Sequence, residues 1–254
     1  MARSKVQQNS IALDPNREKL SINMSVTPGD PTTQMNNAPL LVLVPYRDRA
    51  QHLRIFLRRV WEPLHAEYPN ARLLIAEQSR DNQRFNRGAL LNAAYDYAQS
   101  TWGVQPARVL LHDVDLVPDA RLRRLYHAIP ARVEAVAFGQ AHGGRYPGRA
   151  FFGGITALSG NLFRRAGGFP TTFWGWGGED DALRRRVIAC GARITVPRAG
   201  SYRDQEQLSL QQKLARVRAA RSGCPNRREL RDCTSGLDNT RYRVITRVHP
   251  WHVV

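Results

Sequence analysis

Cysteine is scarce in this sequence, and long apolar runs are missing altogether. Only three cysteines occur among 254 residues, at Cys190, Cys224 and Cys233. Their odd number and wide spacing argue against a disulfide framework and against a zinc site, so we expect free thiols, with a Cys224–Cys233 disulfide as the alternative in an oxidising compartment. No apolar stretch approaches the ~20 residues that a membrane-spanning helix needs, and the N-terminus has no apolar signal segment. We therefore expect a cytoplasmic protein.

Acidic residues are also few relative to basic ones. The chain has 38 Lys and Arg against 21 Asp and Glu, a formal charge of +17, and most of the positive charge is arginine. This balance favours polyanionic partners such as nucleic acid, an anionic membrane surface or phosphorylated substrates. The arginines are dispersed, so a bias in genome composition explains them equally well. The absence of a recognition motif disfavours nucleic acid as the partner.

The order of apolar segments predicts an α/β fold with a mainly parallel sheet flanked by helices. Residues 1–37 are polar and aperiodic and are predicted to be a disordered arm, and residues 38–254 a single domain. Strands and helices then alternate, as in sheets with right-handed crossovers. The predicted elements are a strand at 39–44, a helix at 53–64, a strand at 72–76, a helix at 88–98, a strand at 108–112, a helix at 180–189, a strand at 193–196, a helix at 207–220 and a strand at 242–248.

Charged residues follow two of the predicted strands. Pro45–Arg49 follows the first strand, and Asp113-Val114-Asp115 follows the third. Ligands of open α/β sheets bind beyond the carboxyl ends of the strands, so both segments are expected at one site. Two carboxylates at this spacing suit a divalent cation held against a diphosphate, although an ordinary solvated loop would also contain them.

A second acidic group follows a run of glycine and tryptophan. Trp174 and Trp176 precede Glu179, Asp180 and Asp181, which lie at the predicted start of a helix. Acidic residues there favour the helix dipole, but capping does not explain the two indoles. Indole rings pack on the apolar faces of sugars, and a neighbouring carboxylate can bind and deprotonate a sugar hydroxyl.

Together these motifs resemble the β-1,4-galactosyltransferase family. They are Pro45-Tyr46-Arg47-Asp48-Arg49, the run from Phe85 to Asn92, the run from Asp113 to Pro118, Phe152-Gly153-Gly154 with the run from Trp174 to Asp181, and the C-terminal segments 235–239 and 242–244. The resemblance implies a GT-A fold and a metal-dependent enzyme that transfers a sugar, most simply galactose, from a UDP-sugar to a glycan acceptor with inversion.

The resemblance also implies which residues surround the donor nucleotide. Arg47 and Arg49 would contact UDP, since a guanidinium matches phosphate with two hydrogen bonds. Phe85 would line the uracil pocket, Asp113 would face the ribose and diphosphate, and Asp115 would bind Mn²⁺ or Mg²⁺. The remaining donor-site residues would be Arg87, Val114, Gly154 and Trp176.

On the acceptor side, the resemblance implies roles for three consecutive acids. Glu179 and Asp181 would hold the acceptor sugar, Asp180 would act as the general base, and Trp176 would close over both substrates. Phe151 would border the 2-substituent of the donor sugar, which favours UDP-galactose over UDP-N-acetylgalactosamine.

The resemblance is incomplete at the metal site and in the acceptor loop. The animal enzymes have a metal-binding histidine after the strand that follows Asp181, and this chain has none between His142 and His249. Asp204, Glu206, His249 and His252 are the candidate substitutes. A bacterial or otherwise non-secretory enzyme is expected, rather than one in a Golgi-type compartment, with a polysaccharide or a lipid-linked acceptor at an anionic membrane surface.

Three other hypotheses remain open from the sequence. A nucleic-acid-binding module would explain the positive charge. A non-catalytic glycan binder would use Trp176 and the carboxylates but would not need Arg47 or Asp113. A nucleotidyltransferase would need a Gly-rich phosphate loop near the first strand, and the sequence has none there. Titration of UDP with and without Mn²⁺ separates these classes.

Overall fold

An eight-stranded mixed sheet forms the centre of the fold in the computed structural model of the chain. The structure describes residues 20–26, 40–80, 82–102, 106–127, 135–141, 151–175, 177–206, 208–209, 211–212, 215, 218 and 235–248. None of the helices in these ranges combines the length and the apolar character that crossing a bilayer requires.

The strands pair in both directions. They are β1 (Leu20–Val26), β2 (Leu40–Tyr46), β3 (Arg72–Gln78), β4 (Arg108–His112), β5 (Leu116–Pro118), β6 (Ala135–Ala137), β7 (Ile155–Ser159), β8 (Ile194–Thr195), β9 (Tyr202–Asp204) and β10 (Tyr242–Val248). The main sheet has the order β10-β1-β3-β2-β4-β7-β6-β8, and β5 pairs with β9 in a separate antiparallel ribbon. Strand β2 runs parallel to both β3 and β4, whereas β7 is antiparallel to β4 and β6.

Helices connect and cover the strands. They are α1 (Ala50–Phe56), continued through a π-helical turn (Leu57–Trp61) into α2 (Glu62–Glu67), then α3 (Arg87–Trp102), α4 (Ala120–Arg124), α5 (Gly160–Arg165) and α6 (Glu179–Ala189). Short 3₁₀ turns occur at Phe138–Gln140 and Leu237–Asn239.

The sheet is buried on both faces. Along β2, Leu41 and Leu43 pack with α3 and α5 on one face, while Leu40, Val42 and Val44 pack with α1 and α2 on the other. A strand covered on both faces needs an unbroken apolar run rather than alternation. The apolar run at the start of the domain is therefore explained by its central place in the sheet.

The predicted meeting of strand ends is present. Because β2 and β4 are parallel neighbours, the segments that follow Tyr46 and His112 emerge at the same edge of the sheet. The fold therefore brings the arginines after β2 and the aspartates after β4 together, as the α/β interpretation predicts.

One prediction about the N-terminus is wrong. Residues 20–26, which the sequence analysis assigns to a disordered arm, form β1, inserted between β3 and β10. Leu20, Ile22 and Met24 alternate along this strand and are buried on one face. Only three buried residues alternate along this strand, and they lie within a polar stretch. The composition of residues 1–37 therefore predicted disorder rather than a strand. Residues 1–19 and 27–37 of the predicted arm lie outside the described residues.

Candidate active site

Arg87 is the centre of a compact ionic cluster at the first turn of α3. Its Nε lies 2.7 Å from Oδ1 of Asp113, and its Nη1 lies 2.7 Å from Oδ1 of Asp180. Nη1 also lies 3.9 Å from Oε1 of Glu179. The Arg87 side chain is only 11% exposed. One buried guanidinium thus joins the acidic motif after β4 to the acidic motif that opens α6, and we call these four residues the Arg87 cluster.

The backbone around each carboxylate explains why the two motifs meet. Asp113 follows β4, and its N–H donates to the carbonyl of Gly154 at 2.8 Å. Gly153, the next glycine back, lies directly against the Asp180 carboxylate, and a Cβ at this position would overlap Oδ2. Gly178 precedes α6 with a φ of 105°, a conformation that favours glycine. These glycines allow close approach of backbone and carboxylate.

Burial changes the acidity of the cluster. Removal from water raises the pKa of both Glu179 and Asp180. The positive charge of Arg87 lowers both pKa values, but burial is the larger effect. Burial alone would lower the pKa of Arg87, but the three carboxylates raise it overall. Glu179 is 7% exposed, and its Oε2 has no hydrogen-bond partner among the described residues. Asp180 is therefore a stronger base than an exposed aspartate. The positive charge of Arg87 favours the ionised form of Asp180.

The two aspartates of the Asp-x-Asp motif have different partners. Asp113 contacts Arg87, whereas Oδ2 of Asp115 lies 3.8 Å from Nη1 of Arg49. Nη2 of Arg49 lies 3.7 Å from Oε1 of Glu206. We call Arg49, Asp115 and Glu206 the Arg49 cluster. Among the described residues, no three His, Cys, Asp or Glu side chains are arranged to hold a metal ion by themselves.

Arg47 and Phe85, which the resemblance assigns to the UDP site, lie beside each other. The Arg47 guanidinium lies 5.5 Å from the centre of the Phe85 ring, and Nη1 of Arg47 donates to the carbonyl of Gln83 at 2.9 Å. The Gln78 side chain accepts from the Asn86 N–H at 2.8 Å and donates to the Arg84 carbonyl at 3.0 Å. The loop that carries Phe85 is thereby tied to the end of β3.

Phe151 lies beside the Arg87 cluster. A Cβ added at Gly153 would overlap the Asp180 carboxylate and would lie 2.7 Å from Cζ of Phe151. The ring and the carboxylate therefore both lie against the side of Gly153 from which a Cβ would project. The Phe151 carbonyl accepts a hydrogen bond from Nε2 of Gln140 at 2.6 Å, which fixes the backbone at this position.

Other predicted residues are less closely engaged. Asp181 is exposed on α6. The Val114 side chain is buried among core residues of the α1 face, so its backbone is the part available to a ligand. Trp176, His249 and His252 lie outside the described residues.

Two buried asparagines support the site, although the sequence motifs alone assign them no role. Oδ1 of Asn86 accepts from the Ala89 N–H at 2.9 Å and so caps α3, which begins with Arg87. The Asn92 amide bonds both the N–H and the carbonyl of Phe169, at 2.9 and 2.8 Å. Both asparagines belong to the motif that starts at Phe85, and their polarity at core positions was the available signal.

A buried histidine also supports the site. Nδ1 of His112 lies 2.8 Å from the Asp113 carbonyl, and Nε2 lies 3.2 Å from the Tyr126 hydroxyl. Because a carbonyl only accepts, Nδ1 carries the proton and Nε2 accepts from Tyr126. Burial lowers the pKa of His112 to about 4. A neutral histidine thus fixes the backbone at which the Asp-x-Asp motif begins.

Two models of known protein families match this chain. One family model, described as the N-terminal region of glycosyl transferase group 7, matches residues 3–128. A second, described as the N-terminal domain of galactosyltransferase, matches residues 135–208. The chain belongs to the group 7 glycosyltransferases. The two matches include every residue of the Arg87 and Arg49 clusters.

Curated members of this family are similar in sequence. Human β-1,4-galactosyltransferase 6 is 31% identical over 205 residues, which are 78% of this chain and 52% of the human protein. Human β-1,4-galactosyltransferase 4 is 34% identical over 165 residues, which are 63% of this chain and 46% of the human protein. The chain spans about half the length of these relatives.

A solved structure of a family member confirms the fold. The catalytic domain of Drosophila β-1,4-galactosyltransferase 7, in complex with xylobiose, superposes with a TM-score of 0.60 at 25% identity. The match covers 80% of this chain and 84% of the Drosophila chain. A mutant of that enzyme, in complex with manganese, UDP-galactose and xylobiose, superposes with a TM-score of 0.58 at 24% identity. The GT-A architecture expected of the family is therefore present.

Proposed function

We propose that this protein transfers galactose from UDP-galactose to a hydroxyl group of a sugar acceptor, with inversion at the anomeric carbon. The observation that carries the proposal is the Arg87 cluster, in which one guanidinium binds a donor-side carboxylate, Asp113, and a partly buried base, Asp180. Family membership and the galactosyltransferase relatives support galactose as the transferred sugar.

The proposed reaction requires this chain to accept one proton. The acceptor hydroxyl oxygen attacks the anomeric carbon from the face opposite UDP, and its proton passes to the Asp180 carboxylate. The bond from the anomeric carbon to the diphosphate oxygen breaks, and its electron pair leaves with UDP. With one base and no protein nucleophile, the α-linked donor gives a β-linked product.

The residues at the sheet edge fit a hard divalent cation. Asp115 supplies a carboxylate with a side chain that is 10% exposed, beside the expected position of the diphosphate. Oxygen ligands suit Mn²⁺ and Mg²⁺. When bound, the cation would stabilise the charge that develops on the leaving diphosphate. Arg47 and Arg49 would bind the same phosphates from the β2 side.

The acceptor is proposed from two observations. The related Drosophila enzyme is in complex with xylobiose, which makes a short glycan the first acceptor to test. The formal charge of +17 supports an acceptor held at an anionic surface, such as a lipid-linked sugar at the cytoplasmic face of a membrane.

A matrix of donors and acceptors tests this function. UDP-galactose, UDP-glucose and UDP-N-acetylgalactosamine would each be incubated with free sugars, xylobiose and a lipid-linked sugar, with Mn²⁺ or with a chelator. We expect metal-dependent release of UDP that requires an acceptor and is fastest with UDP-galactose. Binding of glycan without turnover of any donor would support the non-catalytic alternative instead.

The Phe151 ring should determine donor size. The ring lies next to Gly153 and Asp180, so we expect it to disfavour the N-acetyl group of UDP-N-acetylgalactosamine. The expected free-energy cost relative to UDP-galactose is ~1 to 3 kcal/mol. Phe151→Leu should raise turnover of that donor relative to UDP-galactose, and the ratio measured in one preparation is its own control. Equal turnover of both donors by the unmodified protein would contradict this role.

A further inference from the structure

The Arg49 cluster brings three side chains together from separate parts of the chain. Arg49 comes directly before α1, Asp115 directly before β5, and Glu206 two residues after β9. The Asp115 and Glu206 side chains are 10% and 8% exposed, whereas Arg49 is 40% exposed. Two buried carboxylates therefore share one cationic side chain that can reach solvent.

The backbone holds Glu206 firmly near Asp115. Leu116 pairs with Asp204 in the β5–β9 ribbon, and the N–H of Gln205 donates to the Asp115 carbonyl at 2.9 Å. The Glu206 N–H donates to Oδ1 of Asp204 at 2.9 Å. Glu206 thus extends from an ordered ribbon that is directly bonded to the Asp-x-Asp motif.

The contacts with Arg49 are loose. Distances of 3.8 and 3.7 Å are ion-pair separations rather than hydrogen bonds. The Asp115 and Glu206 carboxylates thus approach one cationic group from two different elements. A divalent ion takes oxygen ligands from separate elements in the same way.

We propose that Glu206 is a ligand of the divalent cation together with Asp115, and that Arg49 occupies the place between them until the cation and diphosphate bind. The inference rests on the proposed function for the identity of the nucleotide. Arg49 would then turn to the phosphates, and its charge at the two carboxylates would be replaced by the metal. Of the four substitutes left open by the sequence, Glu206 is favoured because it shares a contact with Arg49 and so lies near Asp115. Oδ1 of Asp204 accepts from the Glu206 N–H, and His249 and His252 lie outside the described residues.

Binding of Mn²⁺ in the presence of UDP tests this ligand. Free Mn²⁺ would be followed by electron paramagnetic resonance in the unmodified protein and in Glu206→Gln, Asp115→Asn and Asp204→Asn. Glu206→Gln and Asp115→Asn should each weaken Mn²⁺ binding by at least ~10-fold. Asp204→Asn, the matched control on the same ribbon, should stay close to the unmodified protein. A loss in Asp204→Asn with unchanged binding in Glu206→Gln would overturn the assignment.

Arg49→Gln separates a metal ligand from a structural ion pair. Without UDP, this variant should bind Mn²⁺ more tightly than the unmodified protein, because the competing cation is gone. The same variant should bind UDP more weakly, because a phosphate contact is lost. If Glu206 served only to hold Arg49, Glu206→Gln would not weaken Mn²⁺ binding in the presence of UDP, and the proposal would be rejected.

Glu206→His tests the assignment by a gain in metal selectivity. Imidazole suits Mn²⁺ better than Mg²⁺, so this variant should raise the ratio of Mn²⁺ to Mg²⁺ affinity measured by calorimetry with UDP. An unchanged ratio would count against Glu206. These readouts do not depend on sugar transfer, so a protein that binds UDP and Mn²⁺ but fails to transfer galactose would refute the proposed function alone.

Discussion

Asp180→Asn is expected to lower turnover by ~10²-fold or more while leaving the affinity for UDP nearly unchanged. The amide has nearly the same shape as the carboxylate but cannot accept the proton of the acceptor hydroxyl. It can still accept one hydrogen bond from Arg87, which now lies 2.7 Å from Oδ1 of Asp180. Steady-state rates with UDP-galactose, together with calorimetric titration of UDP, measure both quantities.

Asp181→Asn is the matched control for this substitution. Asp181 is the next residue along α6 and is exposed, so its loss should raise the KM for the acceptor with a much smaller effect on kcat. If Asp180→Asn keeps most of its turnover, Asp180 is not the base. Glu179, whose pKa is also raised by burial, then becomes the residue to test.

Arg87→Met is expected to reduce the free energy of unfolding by ~3 to 5 kcal/mol near pH 8. The substitution removes the cation that contacts Asp113, Asp180 and Glu179. It leaves one buried and two partly buried carboxylates without this compensation. Methionine fills much of the same volume, so the loss reports on charge rather than on a cavity. Urea unfolding followed by circular dichroism measures the difference.

The loss should depend on pH in a defined direction. Without Arg87, the folded-state pKa values of Asp180 and Glu179 rise further above their unfolded values, so the folded variant binds more protons than the unfolded chain. Its stability is then greatest at low pH and is lost as the pH rises through the folded pKa values. The deficit relative to the unmodified protein should be smaller at pH 5 than at pH 8.

Arg123→Met is the control for the pH effect. Arg123 lies 2.8 Å from Glu67, a single carboxylate that is 34% exposed and distant from the site in sequence. Its removal should cost less at both pH 5 and pH 8, because a single ion pair with a partly exposed carboxylate contributes little to stability. A pH-independent deficit in Arg87→Met would mean that the buried carboxylates are already neutral in the native protein.

The central strands were predictable because their sequence signal is local. The run from Leu40 and the strand 108–112 are apolar without interruption, as strands covered on both faces must be, and the strand 242–248 has the predicted bounds. The carboxyl-end rule then located the site from β2 and β4 alone. Strand β1 was not predictable in this way, because its three buried residues are stabilised by pairing with β3 and β10.

The site was predicted as a set of residues but not as a set of contacts. The motifs named Arg87, Asp113 and Asp180, yet nothing in their spacing indicates that one guanidinium binds both carboxylates. The sequence also does not show that Asp113 contacts Arg87 whereas Asp115 contacts Arg49, because these contacts depend on how β5 pairs with β9. The predicted helix 207–220 lies largely outside the described residues and stays a prediction.

The stereochemistry of the product tests the central claim most directly. The unmodified protein would be incubated with UDP-α-galactose, Mn²⁺ and the best acceptor, and the new linkage would be assigned by proton NMR from the coupling constant of its anomeric proton. A site with one base, Asp180, and no nucleophile must give a β-linked galactoside. An α-linked product would require a different mechanism and would contradict the account of Asp180 and the Arg87 cluster.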